Sequence, residues 1–161
     1  MPRPLAAAGA LLLALGSHPI PAEAAQADAV GYFSGTWTCA GTPWRWSNLL
    51  AGDAWLRIEY GDPRHPDGQA VMGWVPRLER FVYRDFHADG SYADLTSTGL
   101  VNGRWVFTGP YYPADGSASL NGQVSYVVVS PARYDRIFEA LRDGKLVRMG
   151  GDTCTKGIEH G

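Results

Sequence analysis

The stretch FSGTWTC, residues 33–39, places Gly35, Trp37 and Cys39 at alternate positions. Successive side chains of a β-strand point to opposite faces, so a strand here presents these three residues on one face. The stretch therefore predicts a first strand whose inward face carries a tryptophan and, two residues later, a cysteine.

The residues before this stretch have the features of an export signal. Arg3 is followed by an apolar run over 5–16, and small residues then give A-x-A patterns at 22–24 and 25–27. These features are typical of a cleaved signal peptide, whereas a membrane-spanning helix needs about 20 apolar residues. We therefore expect residues 1–24 to be a signal peptide, with no transmembrane segment after cleavage. Residues 25–161 are then a single exported domain, periplasmic or extracellular.

The two cysteines of the chain, Cys39 and Cys154, lie near the two ends of this domain. An even number of cysteines in an exported protein favours a disulfide. Because bonded cysteines need Cα atoms within about 7 Å of each other, a Cys39–Cys154 bond requires the first and last strands to be neighbours.

Asp-Gly and Asn-Gly pairs divide the rest of the domain, and such pairs favour tight hairpins. They occur at 67–68, 89–90, 102–103, 115–116, 121–122 and 143–144. The segments between them predict strands over 54–60, 80–86, 104–108, 124–129, 133–141 and 145–149. Residues 133–141 also fit a helical spacing, but the turn at 143–144 favours a hairpin. Residues 42–52 show no alternation and are interpreted as a loop or short helix.

About eight strands joined by tight turns make an antiparallel sheet, and closure into a barrel removes its unpaired edges. Closure also places the first strand beside the last, which is what the proposed disulfide requires. The sequence predicts an all-β fold: a closed antiparallel up-and-down barrel of about eight strands.

Gly35-x-Trp37 on the first strand, a meander of hairpins and this chain length resemble the calycin barrels, which are the lipocalins and their relatives. The order of the segments 80–99, 102–109 and 143–156 is similar to that of small exported bacterial proteins with a calycin-like domain of unknown function. The resemblance implies that Gly35 and Trp37 close one end of the barrel. It also implies that Trp37 packs against a basic side chain near the last strand, Arg148 or Lys156.

The opening GTWTCAG is also similar to the haem-binding barrels of the nitrobindin type, whose first strand reads Gly-x-Trp-x-Gly-x-Gly. This chain has Cys39 where that pattern has a glycine. It also lacks the late-strand histidine that ligates iron there, because His160 follows Cys154, and only Met149 is a conceivable substitute. We therefore expect no cofactor.

The most polar cluster lies on two strands that meet at a hairpin near residue 90. Asp85 and His87 share a face and can form an acid–base pair in the barrel mouth, with Tyr92 as a third catalytic candidate. The other interpretation is that these residues are simply solvated near a turn. Together with His87, His65 and His160 show no zinc-ligand spacing, so we expect no metal site.

The aromatic residues are the remaining signal, with six tryptophans and eight tyrosines in the chain. Such residues either fill a core or line a pocket, and an eight-stranded barrel can do either. Trp37 and Trp105 are expected in the core. The candidate ligand-binding residues are Trp44, Trp46, Trp55, Trp74 and Tyr83, with Trp44 and Trp46 at the rim.

The chain carries a net charge of −2, whereas nucleic-acid binding needs a concentrated basic surface. No nucleophile elbow or phosphate-binding glycine loop is present in the sequence, which favours a binding protein over an enzyme. We predict a monomeric exported barrel that binds a small hydrophobic or aromatic molecule. The alternatives are an isomerase- or cyclase-type enzyme that works in the barrel interior, and a ligand-free structural or interaction module of the cell envelope.

Overall fold

The computed structural model describes residues 31–50 and 55–157, which form one antiparallel sheet. The predicted signal peptide, residues 1–24, lies outside the described residues. The strands within them are β1 (Gly35–Cys39), β2 (Thr42–Asn48), β3 (Trp55–Asp62), β4 (His65–Val75), β5 (Arg80–His87), β6 (Tyr92–Ser97), β7 (Leu100–Val101), β8 (Arg104–Tyr112), β9 (Leu120–Ser130), β10 (Arg133–Arg142) and β11 (Lys145–Lys156).

The sheet closes on itself into a barrel. β1 pairs with β11 and β6 pairs with β8, so that ten strands of the described chain form a ring, while the two-residue β7 pairs with β8 alone. The predicted closed antiparallel barrel is confirmed, but the ring has ten strands rather than about eight. The strands of the ring that the sequence analysis missed are β2 and β4.

The interpretation of 42–52 as a loop or short helix is wrong over 42–48, which form β2. The inward side chains of this strand are Trp44 and Trp46, which are buried, while Pro43 and Arg45 point outward. The alternation was therefore present, but it was carried by tryptophans next to a proline and an arginine rather than by β-branched residues. Residues 133–142 form the strand β10, as the hairpin interpretation predicted.

Two of the glycine pairs that predicted turns lie inside strands instead. Gly68 belongs to β4 and Gly122 to β9. A Cβ atom on Gly68 would stand 2.5 Å from the Tyr60 hydroxyl oxygen, and one on Gly122 would collide with the backbone carbonyl oxygen of Glu139. Glycine is required at these positions because a neighbouring group approaches the backbone closely, a role that has the same sequence signature as a turn.

The disulfide is present as predicted. Cys39 and Cys154 face each other across β1 and β11, with a Cα–Cα distance of 4.1 Å. The bond and the strand pairing hold the two ends of the domain together, which is the closure that the cysteine positions predicted.

One end of the barrel, here called the closed end, is filled with aromatic side chains. Phe33 lies in a helical turn before β1 and is fully buried. Its ring packs within 6 Å, centroid to centroid, of four aromatic rings from β2, β8, β9 and β10: those of Trp46, Trp105, Tyr126 and Tyr134. Trp37 completes this plug by donating its indole N–H to the Phe33 carbonyl oxygen at 2.7 Å.

Among the described residues, no helix has the length and apolar character needed to cross a membrane.

Candidate functional site

A cavity of about 370 Å³ lies inside the barrel, away from the closed end. On β8, Trp105 packs in the closed-end plug, whereas Gly109 and Tyr111, four and six residues later, line the cavity. The half-exposed Met149 is also part of the lining. Most of the wall is apolar, with side chains from β6, β8, β9 and β10: Ala93, Leu95, Tyr111, Leu120, Val124 and Phe138.

The cavity exists because small residues occupy consecutive inward positions on adjacent strands. Gly109 of β8 lies opposite Gly122 of β9, which in turn lies opposite Ala140 of β10, and all three line the cavity. At the closed end the same inward rows carry Trp105, Tyr126 and other large rings. The interior is therefore filled at one end and empty at the other.

The polar part of the wall centres on the carboxylate of Asp85. Its side chain is only 13% exposed, and both of its oxygens accept hydrogen bonds from tyrosines. The Tyr60 hydroxyl donates to Oδ1 at 2.5 Å, and the Tyr83 hydroxyl donates to Oδ2 at 3.0 Å. The Tyr126 hydroxyl donates to that of Tyr83 at 3.4 Å, which extends the network into the core.

His87 lies two residues from Asp85 and on the same face of β5. Its Nε2 atom is 3.5 Å from Asp85 Oδ2, and its Nδ1 atom is 3.3 Å from the Tyr60 hydroxyl oxygen. The hydrogen bond to Asp85 raises the pKa of His87, although burial acts in the opposite direction. The predicted Asp85–His87 pair therefore forms on the cavity wall.

The tyrosines of the network stay protonated at neutral pH. Burial first, and the adjacent Asp85 carboxylate second, raise the pKa of both Tyr60 and Tyr83 above the ordinary tyrosine value. Burial also raises the pKa of Tyr126 to about 12. All three hydroxyls therefore act as neutral donors in a chain that ends at the Asp85 carboxylate.

A second ion pair lies inside the barrel beside this network. The Arg136 Nε atom donates to Asp152 Oδ2 at 3.0 Å, and the guanidinium also contacts that oxygen through Nη2. The guanidinium carbon of Arg136 lies 4.0 Å from the centroid of the Trp44 ring and 4.6 Å from that of Phe138. Arg136 is thus held in place by Asp152 and by two aromatic faces.

The candidate residues from the sequence divide into two groups. Tyr83, Asp85 and His87 line the cavity. The remaining candidates lie outside its lining: Trp44, Trp46, Trp55, Trp74 and Tyr92.

Trp44 and Trp46 are core residues of β2 rather than rim residues, with exposures of 4% and 1%. Trp44 stacks on Tyr60 at 4.7 Å, and Trp46 belongs to the closed-end plug. Trp74 packs against Phe81 at 5.1 Å, and the ring of Tyr92 stacks against Tyr112 at 5.8 Å.

Of the two predicted basic partners of Trp37, Lys156 lies near it. The Lys156 Nζ atom is 5.3 Å from the centroid of the Trp37 ring, and the two residues are paired across β1 and β11. Arg148 lies opposite Glu139 in the exposed part of β11. Gly35 begins β1 with a φ of 109°, a left-handed conformation that favours glycine.

Sequence reasoning missed Tyr60 and Arg136 as site residues. Tyr60 lies on the same inward face as Leu56 and Ile58 of its strand, and Arg136 occupies an inward position between Tyr134 and Phe138. The available signal was a polar residue in an inward row, which only the strand register turns into the Tyr60–Asp85 hydrogen bond and the Arg136–Asp152 ion pair.

The described residues contain no cluster of histidine, cysteine, aspartate or glutamate that could hold a metal ion. No protein-family model matches the chain, and a search of curated proteins finds no match to it. The function therefore has to be argued from the cavity and its polar wall.

Proposed function

We propose that this protein is an exported calycin-like barrel that binds one small, mostly apolar molecule in the cavity beside Asp85. The observation that carries the proposal is the cavity itself: about 370 Å³ with a largely apolar wall and a few convergent polar groups. Pockets for small ligands usually enclose about 300–1,000 Å³ and have this composition.

Several features support the remaining parts of this proposal. The Gly35-x-Trp37 start and the meander of antiparallel strands resemble calycins, in which one end of the barrel is closed and the other admits a ligand. The signal-like residues 1–24 and the Cys39–Cys154 bond fit an oxidising, exported location for the domain 25–161. We also propose that the protein acts as a monomer, because the barrel closes within one chain.

Titration calorimetry with small alcohols of increasing apolar size tests the binding proposal. We expect at least one of them to bind with a Kd below about 1 mM, which corresponds to roughly −4 kcal/mol. The substitution Ala140→Leu fills part of the cavity and should weaken that binding at least about tenfold. Ala132→Leu, in an exposed turn at the closed end, is the matched control and should leave it unchanged.

The controls separate the possible failures. If none of the alcohols binds, and no other small apolar probe binds either, the ligand-free structural module replaces the binding protein. Equal weakening by Ala140→Leu and Ala132→Leu would mean that the alcohols bind outside the cavity.

The Asp85–His87 pair favours a second candidate function, that of an isomerase- or cyclase-type enzyme. A carboxylate and an imidazole on an apolar wall can remove a proton from a bound molecule and return it elsewhere. Deuterium exchange at the α-carbon of cyclohexanone in D₂O, followed by NMR, tests this activity. The rate should exceed that of the Asp85→Asn variant, and equal rates would exclude Asp85 as the base.

A further inference from the structure

The tyrosine hydrogen bonds that lead to Asp85 all run in one direction, and this direction limits which ligand groups can bind there. Tyr126 donates to Tyr83, and Tyr83 and Tyr60 each donate to Asp85. A hydroxyl has one proton to donate, so each of these protons is already engaged. What the network still offers to the cavity is lone pairs, on the two carboxylate oxygens and on the tyrosine oxygens. A ligand group that contacts Asp85 has to be a donor.

The charges inside the barrel point to the same requirement. Arg136 is neutralised by Asp152, which it contacts through two of its nitrogens. Among the described residues, the only ion-pair contact of Asp85 is with His87, whose Nε2 atom lies 3.5 Å from Asp85 Oδ2. While His87 is neutral, the cavity wall therefore carries an uncompensated negative charge in an apolar, low-dielectric environment, where a charge interacts more strongly than in water.

We propose that the cavity selects an apolar molecule that bears a protonated amine, with the ammonium group bound to Asp85. This inference rests on the binding function proposed above and names the chemical class of its ligand. An ammonium group has three donors and no acceptor, so it complements both the lone pairs and the charge of this wall. The aromatic rings of Tyr83, Tyr111 and Phe138 line the same cavity and can pack on the apolar body.

Other polar groups fit the wall less well. A neutral alcohol offers one donor, and a hydrogen bond with one ionised partner is weaker than one between two opposite charges. A carboxylate offers only acceptors and would face the Asp85 carboxylate across an apolar space, where like charges repel. The expected order of affinity is therefore amine, then alcohol, then carboxylate.

Calorimetric titration with three probes that share one apolar body tests this order: cyclohexylmethylamine, cyclohexylmethanol and cyclohexanecarboxylate. The titrations are made at about pH 8, above the usual pKa of histidine and below that of the amine. We expect the amine to bind at least about tenfold more tightly than the alcohol, which corresponds to about 1.4 kcal/mol. The carboxylate should bind more weakly than both.

Variants locate the recognition at Asp85. Asp85→Asn removes the charge and should reduce the ratio of amine to alcohol affinity to about one, whereas Asp94→Asn should not change it. Asp94 is the matched control because it lies on the outer face of β6, paired with Arg84. If Asp85→Asn does not fold, Asp152→Asn serves instead, because it leaves Arg136 without its counter-charge and should selectively weaken amine binding.

The outcomes separate this inference from the function on which it rests. If none of the three probes binds, and the alcohol panel also fails, the binding function itself is wrong. If all three bind with affinities within about threefold, the barrel binds apolar molecules but the inference about amines is wrong. Tightest binding of the carboxylate would overturn the inference directly, since it would show that the wall presents donors.

Discussion

Trp37 offers the sharpest test of how this barrel is closed. Its side chain is fully buried, its ring packs 4.7 Å from that of Tyr134, and its indole N–H donates to the Phe33 carbonyl oxygen at 2.7 Å. That hydrogen bond fixes Phe33, which is the centre of the closed-end plug. Two substitutions separate the ring from the hydrogen bond: Trp37→Ala removes both, and Trp37→Phe keeps an aromatic ring while removing the donor.

The expected magnitudes follow from these contacts. Truncation of a buried tryptophan to alanine usually costs about 3–5 kcal/mol, and the loss of the Phe33 contact puts Trp37→Ala in the upper part of that range. Trp37→Phe leaves a buried carbonyl oxygen without its partner, which costs about 1–3 kcal/mol in addition to the lost packing. The contact between Lys156 and the Trp37 ring contributes little to these losses of stability, because a cation–π contact at an exposed site is worth about 0.5–1 kcal/mol.

Trp105 provides the matched control. It is also fully buried, but its indole N–H has no hydrogen-bond partner in the part of the chain that the structure describes. Trp105→Phe therefore removes a similar volume together with an unsatisfied donor, so it should cost about 1–3 kcal/mol less than Trp37→Phe.

Guanidinium unfolding under non-reducing conditions, followed by far-UV circular dichroism, gives the free energy of unfolding of each variant. A loss below about 1 kcal/mol for Trp37→Ala would show that Trp37 does not plug the barrel. Equal losses for Trp37→Phe and Trp105→Phe would show that the bond to Phe33 contributes nothing.

Two further predictions concern the disulfide and His87. Alkylation of the non-reduced protein should leave Cys39 and Cys154 unlabelled in mass spectrometry, and labelling of both thiols would contradict the bond. Replacing both cysteines with serine should lower the free energy of unfolding by up to about 4.7 kcal/mol, because the bond closes a loop of more than 100 residues. The hydrogen bond to Asp85 raises the pKa of His87, and the charges of Asp85 and Asp89 act in the same direction, whereas burial and the charge of Arg136 lower it. The stabilising contribution of His87 is therefore complete below its unfolded pKa of about 6.5 and is lost as the pH rises through the folded value. The stability difference between the wild-type protein and His87→Gln should therefore shrink as the pH rises through this range, and a difference that grows would mean that burial, rather than Asp85, dominates.

The sequence predicted the closure of the barrel more reliably than its strand number, and the reason is physical. Alternation at Gly35, Trp37 and Cys39, together with a cysteine near the other end, restricts which strands can be neighbours. The missed strands β2 and β4 contain a proline, a glycine or both, residues that are rare in strand interiors. Gly68 is needed in β4 because the Tyr60 hydroxyl lies where its Cβ would be. Such a contact with a neighbouring strand cannot be predicted from the local sequence around Gly68.

The site was also predictable only in part, because some of its contacts join residues from different strands. Asp85 and His87 are two residues apart, so their shared face follows from the strand alone. Tyr60 reaches Asp85 from β3 across β4, and Arg136 on β10 pairs with Asp152 on β11, so both contacts depend on the register between strands. Sequence spacing cannot place residues that are more than 20 positions away along the chain unless the register of every intervening strand is known.

The large number of aromatic residues suggested a pocket lined by tryptophans, but none of the six tryptophans lines the cavity, and Trp37, Trp46 and Trp105 help to fill the closed end instead. The cavity lies instead where Gly109, Gly122 and Ala140 align across three neighbouring strands. A Cβ at Gly109 would collide with the backbone carbonyl oxygen of Asp94, so the first two residues are small because the strands approach each other closely there. The same small residues leave the interior unfilled beside Asp85. In this barrel a row of small inward residues is therefore a better indicator of the cavity than the content of tryptophan, because the empty space arises where large side chains are missing.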